Sequence, residues 1–316
     1  MTETTATSAP DLTIWHLLPD RWRQTLLSKA LSSYTVSDYL ITAKRWADWL
    51  VRQGLDLEPD EVEDFHVEDF IAEIITSTSA GNAAHHYRNL RVYFRWMLKR
   101  KVITPGRPNP MDSTEPPKVP ERLTPIFTAE DTDGIVDTCD GKDFFALRDK
   151  AMVLIFRDTG GRISELTKLD VDSIMLGARL ARVIGKGNKE RFVGYSPDAA
   201  FALARYLKAR ATLLGEREVA TSRLWIGQWG RPLSITGIRD VLRRRGKQAA
   251  VTQVFPHRFR HTYAHNWKYN QGSTEGLMAT GGWASQKMAE HYGKAARASR
   301  GLAEQQKLMF GTAASA

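Results

Sequence analysis

The sequence predicts a mainly α-helical protein of two domains, a small helical one followed by a larger α-rich one with a small antiparallel β-sheet. Three observations carry this. The 316 residues exceed the roughly 250 that one hydrophobic core serves efficiently. Seven prolines (Pro105, Pro108, Pro110, Pro116, Pro117, Pro120 and Pro125) mark an extended, semi-rigid linker over residues 104–125. Apolar residues recur at helical spacing on both sides of it, whereas strand-like runs around a Gly-rich turn occur only after it. The expected divisions are a flexible tail over 1–20, a helical domain over 21–103, the linker over 104–125, a second domain over 126–299 and a C-terminal tail over 300–316.

In the first part, Thr35 and Asp38 form a start resembling a capping box. Val36, Tyr39, Leu40, Ala43, Trp46 and Leu50 then recur until Gly54. A second helix is expected near 60–75 and a third near 83–101. The third has an apolar stripe through Ala83, Tyr87, Leu90, Phe94, Met97 and Leu98. Beside it run Arg88, Arg91, Arg95 and Lys99, which is either a solvated face or one that tracks phosphates.

In the second part, Thr128 and Asp131 signal another capped start, with Phe127 in the staple position. An apolar helix follows near 144–157. The runs Leu180 to Ile184 and Arg191 to Val193 flank a Gly-rich turn, so a hairpin is expected near 181–195. Ser196 and Pro197 suit a helix N-cap and first position. A short strand is expected at Leu224 to Ile226. A helix near 235–249 carries Arg239, Arg243, Arg244, Arg245 and Lys247, either a solvated basic face or a DNA-facing one.

The net charge is +9, with 29 Arg and 16 Lys. Basicity admits a nucleic-acid partner without requiring one. No run of ~18 apolar residues is present, so no membrane-spanning helix is expected. The N-terminus lacks a basic-then-apolar signal pattern, which points to the cytoplasm. Cys139 is the sole cysteine and excludes an internal disulfide. There is no Walker loop, no His-Glu-x-x-His and no evident acidic cluster, so no metal or organic cofactor is expected.

What remains is a set of cations and one tyrosine. Arg162 follows the glycines Gly160 and Gly161 at a helix start, where it can face an anion. Lys186 sits on the turn Gly185 to Arg191, with Lys189 as a second candidate. His257 and Arg260 stand three apart on one helix face. Trp283 is followed nine residues later by Tyr292.

These segments resemble the tyrosine site-specific recombinases of phage-integrase and Xer type. Thr159 to Leu166 matches the family's first box, Thr-Gly-x-Arg-x-Ser-Glu-Leu. Gly185 to Arg191 matches its Gly-Lys-Gly-Asn-Lys-x-Arg hairpin. His257, Arg260 and His261 match His-x-x-Arg-His. The terminal box departs from the commonest pattern: Gly281-Gly282-Trp283 stands where Leu-Gly-His is usual, with Tyr292 at the expected distance. The boxes keep family order, and the resemblance runs from about residue 20 to the end.

The resemblance implies a SAM-like core-binding domain and a catalytic domain of the DNA breaking-rejoining fold, closing on DNA as a clamp. It implies Tyr292 as nucleophile, giving a 3′-phosphotyrosine without ATP or metal. Arg162 and Arg260 would clamp the phosphate and Lys186 would protonate the leaving oxygen. His257 would move a proton or hold the phosphate, and Trp283 would offer its indole N–H. Glu165 and His261 would support them. Arg88, Arg91, Arg95, Lys99, Lys189, Arg239 and Arg243 would face DNA.

The implied partners are double-stranded DNA with core sites, a homo-tetramer on paired sites and possible accessory DNA-bending proteins. The short N-terminal tail suits a simpler Xer-type enzyme or small phage integrase, and the Gly-Gly-Trp variant leans towards a mobile-element integrase. A type IB topoisomerase, a catalytically inactive DNA-binding regulator and a metal-dependent nuclease are the competing readings.

Overall fold

The computed structural model describes residues 13–120, 125–185 and 187–311, and the side chains of these except at 291 and 293–295. They form two compact units, divided between Arg122 and Leu123.

The first unit is built on aromatic residues at helical spacing. Its helices are α1 (Ile14–Leu27), α2 (Ser33–Arg52), α3 (Asp64–Ser77) and α4 (Ala80–Lys99). Trp15, Trp22, Trp46, Phe70, Tyr93 and Phe94 are almost fully buried where these helices meet. Trp22 lies 4.6 Å from Tyr93 and Trp46 meets Phe70 edge-on at 5.2 Å, arrangements that favour offset aromatic packing.

Two expectations are corrected here. The chain is already helical and buried from Ile14, through Trp15, Leu18, Trp22 and Leu26, so a flexible tail does not extend to residue 20. The first long helix starts at Ser33, with the Ser32 hydroxyl accepting from the Thr35 N–H at 3.1 Å; Thr35 and Asp38 are not its cap. Asp38 instead meets His85 Nε2 at 2.9 Å and accepts from Asn89 at 3.1 Å, tying α2 to α4.

The proline-rich stretch up to residue 120 is strapped to this unit rather than running as a spacer. The Thr104 N–H donates to Asp60 at 2.7 Å, Met111 is buried, and Tyr87 donates to the Thr114 carbonyl at 2.7 Å.

The second unit contains α5 (Ala129–Asp137), α6 (Phe144–Thr159), α7 (Ile163–Leu166), β1 (Ile174–Met175), β2 (Leu180–Ile184), β3 (Glu190–Gly194), α8 (Pro197–Arg217), α9 (Ile235–Gln248), α10 (Pro256–Tyr269), α11 (Thr274–Gly281) and α12 (Gln286–Phe310). The sheet is antiparallel in the order β1-β2-β3, with Val183 opposite Arg191. Helix α6 is central and buries Ala151 through Phe156 in succession. The Thr128 capping box forms as the spacing predicts, and Ser196 caps α8 with Pro197 in its first turn.

Leu224 to Ile226 is buried but is no strand. Only isolated bridges form there, Ile226 with Pro232 and the preceding Arg223 with Asp170.

A further correction concerns the basic helix. Asp149 is fully buried on α6 and accepts from Arg148, Arg244 and Arg245 at 2.7–2.9 Å. Burying a carboxylate is expensive unless cations satisfy it, and this cluster pins α9 to α6. Arg245 is therefore an inward-facing core residue and Arg244 is partly committed, whereas Arg239, Arg243 and Lys247 stay exposed.

Candidate active site

The site is assembled from the end of α6, the start of α10 and the turn between α11 and α12. Gly160 ends α6 in the left-handed conformation (φ 54°). A Cβ there would lie 2.7 Å from the Tyr263 side chain, so only glycine lets the chain pass. The turn delivers Arg162 to the N-cap of α7. Its backbone N–H donates to Glu165 Oε2 at 3.0 Å and its Nη1 donates to Oε1 at 3.0 Å.

On α10, Pro256 occupies the first turn, where its missing N–H costs nothing. Phe259 points into the core. Arg260 is 2% exposed and donates to the Gly160 carbonyl at 2.9 Å and the Gly281 carbonyl at 2.8 Å. Its guanidinium carbon lies 3.7 Å from the centre of the Trp283 ring, a cation–π stack. Trp283, 4% exposed, meets Tyr292 nearly edge-on at 5.1 Å. His261 lies 4.8 Å from Tyr292 and 5.1 Å from His257. The rings of His257, His261, Tyr292 and Trp283 thus run continuously to the Arg260 guanidinium.

Three successive carbonyls of the α11–α12 turn are each taken by a different arginine at 2.8 Å: Thr280 by Arg191, Gly281 by Arg260 and Gly282 by Arg162. Gly282 itself has φ 67°, and a Cβ on it would meet Arg191 at 2.9 Å and Arg162 at 3.1 Å. The turn that leads into the Tyr292 helix is therefore fixed by the cations of the site.

The electrostatics follow from this crowding of positive charge. Burial, then the charge of Arg162, lower the Arg260 pKa to about 10, which leaves it protonated at neutral pH. Partial enclosure, then Arg260 and Arg162, hold the His257 imidazole below its ordinary pKa, although the residue sits on the exposed side of α10. Burial would raise the Glu165 pKa, but hydrogen bonds and charge from Arg191, and then Arg162, outweigh it and keep the carboxyl ionised.

The structure brings together Arg162, Glu165, His257, Arg260, His261, Trp283 and Tyr292. Lys186 lies outside the described residues. Lys189 is exposed, its carbonyl accepting from the Gly185 N–H at 2.8 Å. Arg88, Arg91, Arg95 and Lys99 share an exposed face of α4, and Arg239 and Arg243 an exposed face of α9. Among the described residues no group of three or more His, Cys, Asp or Glu side chains is placed to hold a metal ion.

Sequence reasoning assigned no role to Arg191, although it closes the hairpin motif. The signal available was its position, an arginine on a strand bordering a Gly-rich turn.

Comparison with known proteins adds the decisive observation. Residues 125–298 match the phage integrase family, and residues 18–104 match the phage integrase N-terminal SAM-like domain. The chain belongs to the phage integrase family. Among relatives, the tyrosine recombinase XerC of Azotobacter vinelandii is 30% identical over 237 residues, covering 75% of this chain and 77% of XerC. The tyrosine recombinase XerD of Bifidobacterium longum is 28% identical over 247 residues, covering 75% and 79% of the two chains.

Two solved structures share the integrase fold. A lambda integrase dimer bound to a core site superposes with a TM-score of 0.68 at 20% identity, covering 88% of this chain and 94% of that one. The XerH recombinase in a post-cleavage complex gives 0.69 at 16% identity, covering 86% and 79%. The mainly helical architecture with a small antiparallel sheet, expected from the sequence, is thus the integrase one, and the chain is a tyrosine recombinase that breaks and rejoins DNA.

Proposed function

We propose that Tyr292 is the nucleophile of this integrase-family enzyme. Its hydroxyl oxygen bonds to the scissile phosphorus while the bond to the 5′-oxygen breaks, giving a 3′-phosphotyrosine and a free 5′-hydroxyl. The phosphodiester energy stays in the protein–DNA ester, so no ATP is consumed on rejoining. The tyrosyl proton passes to His257, whose lowered pKa leaves it neutral and able to accept at neutral pH. The 5′-oxygen takes a proton from Lys186, or from Lys189 if that residue reaches it.

Negative charge that builds on the non-bridging oxygens is met by Arg162 and Arg260. Their remaining N–H groups are held in place by the carbonyls of Gly160, Gly281 and Gly282. Glu165 aligns Arg162. Trp283 supports Arg260 and Tyr292, with its indole N–H offered to a phosphate oxygen, and His261 packs on Tyr292 as well. The observation that carries the reading is the packing of Tyr292 against His261 and against the Trp283 ring on which Arg260 stacks.

The partner is double-stranded DNA bearing core sites. The exposed basic faces of α4 and α9, with Lys189, would contact its backbone. Assembly as a homo-tetramer on two sites, action in the cytoplasm and help from DNA-bending proteins belong to the same proposal, as does a role in mobile-element integration. Of the observed side chains, Leu302, Leu308, Met309 and Phe310 near the end of α12 are 60–75% exposed, a face suited to a neighbouring subunit.

The test uses a nicked core-site duplex, selected by the protein itself from randomised DNA, in which the cut strand diffuses away. Tyr292→Phe should bind this duplex as wild type does and yield no covalent adduct. An adduct with the Phe variant would remove Tyr292 from the role.

A further inference from the structure

Arg191 takes no part in the chemistry described above, yet its guanidinium touches most of what holds the site together. On β3, its side chain is 13% exposed. It grips Glu165 bidentately, Nη1 to Oε1 at 3.1 Å and Nη2 to Oε2 at 2.8 Å. Its Nε donates to the Thr280 carbonyl, 89 residues away, at 2.8 Å. A Cβ on Gly282 would lie 2.9 Å from the guanidinium and one on Gly185 would lie 3.4 Å from Nη1, so two glycines leave room for it on separate segments. All three donor directions of a planar fork are used, on two partners that no other described residue links.

Among the described residues Glu165 has one further cationic partner, Arg162, whose Nη1 shares Oε1 with Arg191. Without Arg191 the buried Glu165 carboxylate would lose its bidentate partner and could swing towards Arg162. The Thr280 carbonyl would lose its partner at the head of the turn whose next two carbonyls hold Arg260 and Arg162.

We propose that Arg191 is a positioning residue for strand cleavage: by holding Glu165 and the Thr280 carbonyl at once, it fixes Arg162 and the turn leading to Tyr292 in one register. The proposal rests on the roles given above to Arg162 and Tyr292. Arg191 acts through Glu165 and Arg162 and does not contact DNA. Lysine cannot replace it, because one ammonium cannot span both carboxylate oxygens and the carbonyl.

The experiment measures single-site binding by gel shift, single-turnover adduct formation on the nicked core-site duplex, and melting temperature. Wild type, Arg191→Ala, Arg191→Lys, Arg162→Ala, Tyr292→Phe and the double variant Arg162→Ala/Arg191→Ala are compared. Arg191→Ala should bind within about twofold of wild type and form adduct ~10–100-fold more slowly, as when the partner that orients a metal ligand is lost. Arg191→Lys should recover less than about tenfold of this. The double variant should be no slower than Arg162→Ala alone, because both changes disable one unit. A role in folding alone would lower the melting temperature and would not produce that non-additivity.

Adduct formation by Arg191→Ala at the wild-type rate would overturn the proposal. So would a double variant slowed by the full product of the two single effects. If Arg191→Ala does not fold, Arg191→Lys in the same cycle with Arg162→Ala decides by the same criterion. No adduct with wild type, or an adduct with Tyr292→Phe, would instead refute the reading on which the proposal rests.

Discussion

Trp283 stands where the family's commonest terminal box has histidine, and the structure gives its replacement a calculable cost. The ring is 4% exposed, carries the Arg260 guanidinium at 3.7 Å and meets Tyr292 at 5.1 Å. Removing a buried tryptophan to alanine costs about 3–5 kcal/mol. The cation–π contact accounts for ~1–2 kcal/mol of that kind of loss when the pair is desolvated. For a unit of this size each kcal/mol is worth about 2–4 °C, so the second unit of Trp283→Ala should melt roughly 6–20 °C lower.

Cleavage should fall further than stability alone explains. Arg260 would keep its carbonyl partners but lose its platform, and Tyr292 one of its flanking rings. A misplacement of about 1 Å can cost ~10²-fold in rate. Trp283→Phe keeps a ring beneath the guanidinium and should lose less than about half as much stability. Scanning calorimetry and single-turnover adduct formation are the assays. An alanine variant that melts within about 2 °C of wild type and cleaves normally would refute the packing argument.

Other outcomes follow from the same geometry. Arg162→Ala and Arg260→Ala should each slow adduct formation by something like 10²–10³-fold, with poor rescue by lysine, which cannot span two acceptors; near-normal lysine variants would sink the clamp. Lys186→Ala should be rescued by a 5′-bridging phosphorothioate, whose sulfur leaves without a proton, and rescue of Lys189→Ala instead would move the acid role there. His86, buried beside Thr42, titrates at about 4 because burial disfavours its charge. The unfolded chain takes up that proton nearer 6.5, so stability should fall as pH drops from about 6.5 to 4 and His86→Gln should flatten that slope; an unchanged slope would contradict it. Deleting residues 300–316 should leave single-site binding intact but reduce tetramer formation and recombination, as gel shift and recombination assays would report.

Local signals carried much of the fold. The Thr128 box, the Ser196-Pro197 start and the Gly-rich hairpin are decided by residues within a few positions of one another, and the structure has all three. The misread elements depend on distant partners. Asp38 looked like a cap because the sequence does not reveal His85 and Asn89 beside it. Arg245 looked solvent-facing because its partner Asp149 is 96 residues away. A signal existed in that case: an aspartate inside the apolar run of α6 needs a cation to be buried. Helix α1 was also readable, since Trp15, Leu18, Trp22 and Leu26 stand three, four and four apart. Within the site, the motif residues were named from the sequence. The succession of carbonyls at Thr280, Gly281 and Gly282, and hence the place of Arg191, needed the third dimension.

If Tyr292 is the nucleophile, cleavage leaves it covalently bonded to a 3′-phosphate. Mass spectrometry of the trapped complex, after nuclease and protease digestion, tests it most directly. The peptide containing Tyr292 should carry the added nucleotide mass, with fragmentation placing it on the Tyr292 side chain and a free 5′-hydroxyl on the released strand. Attachment at any other residue, or through a 5′-phosphate, would contradict it.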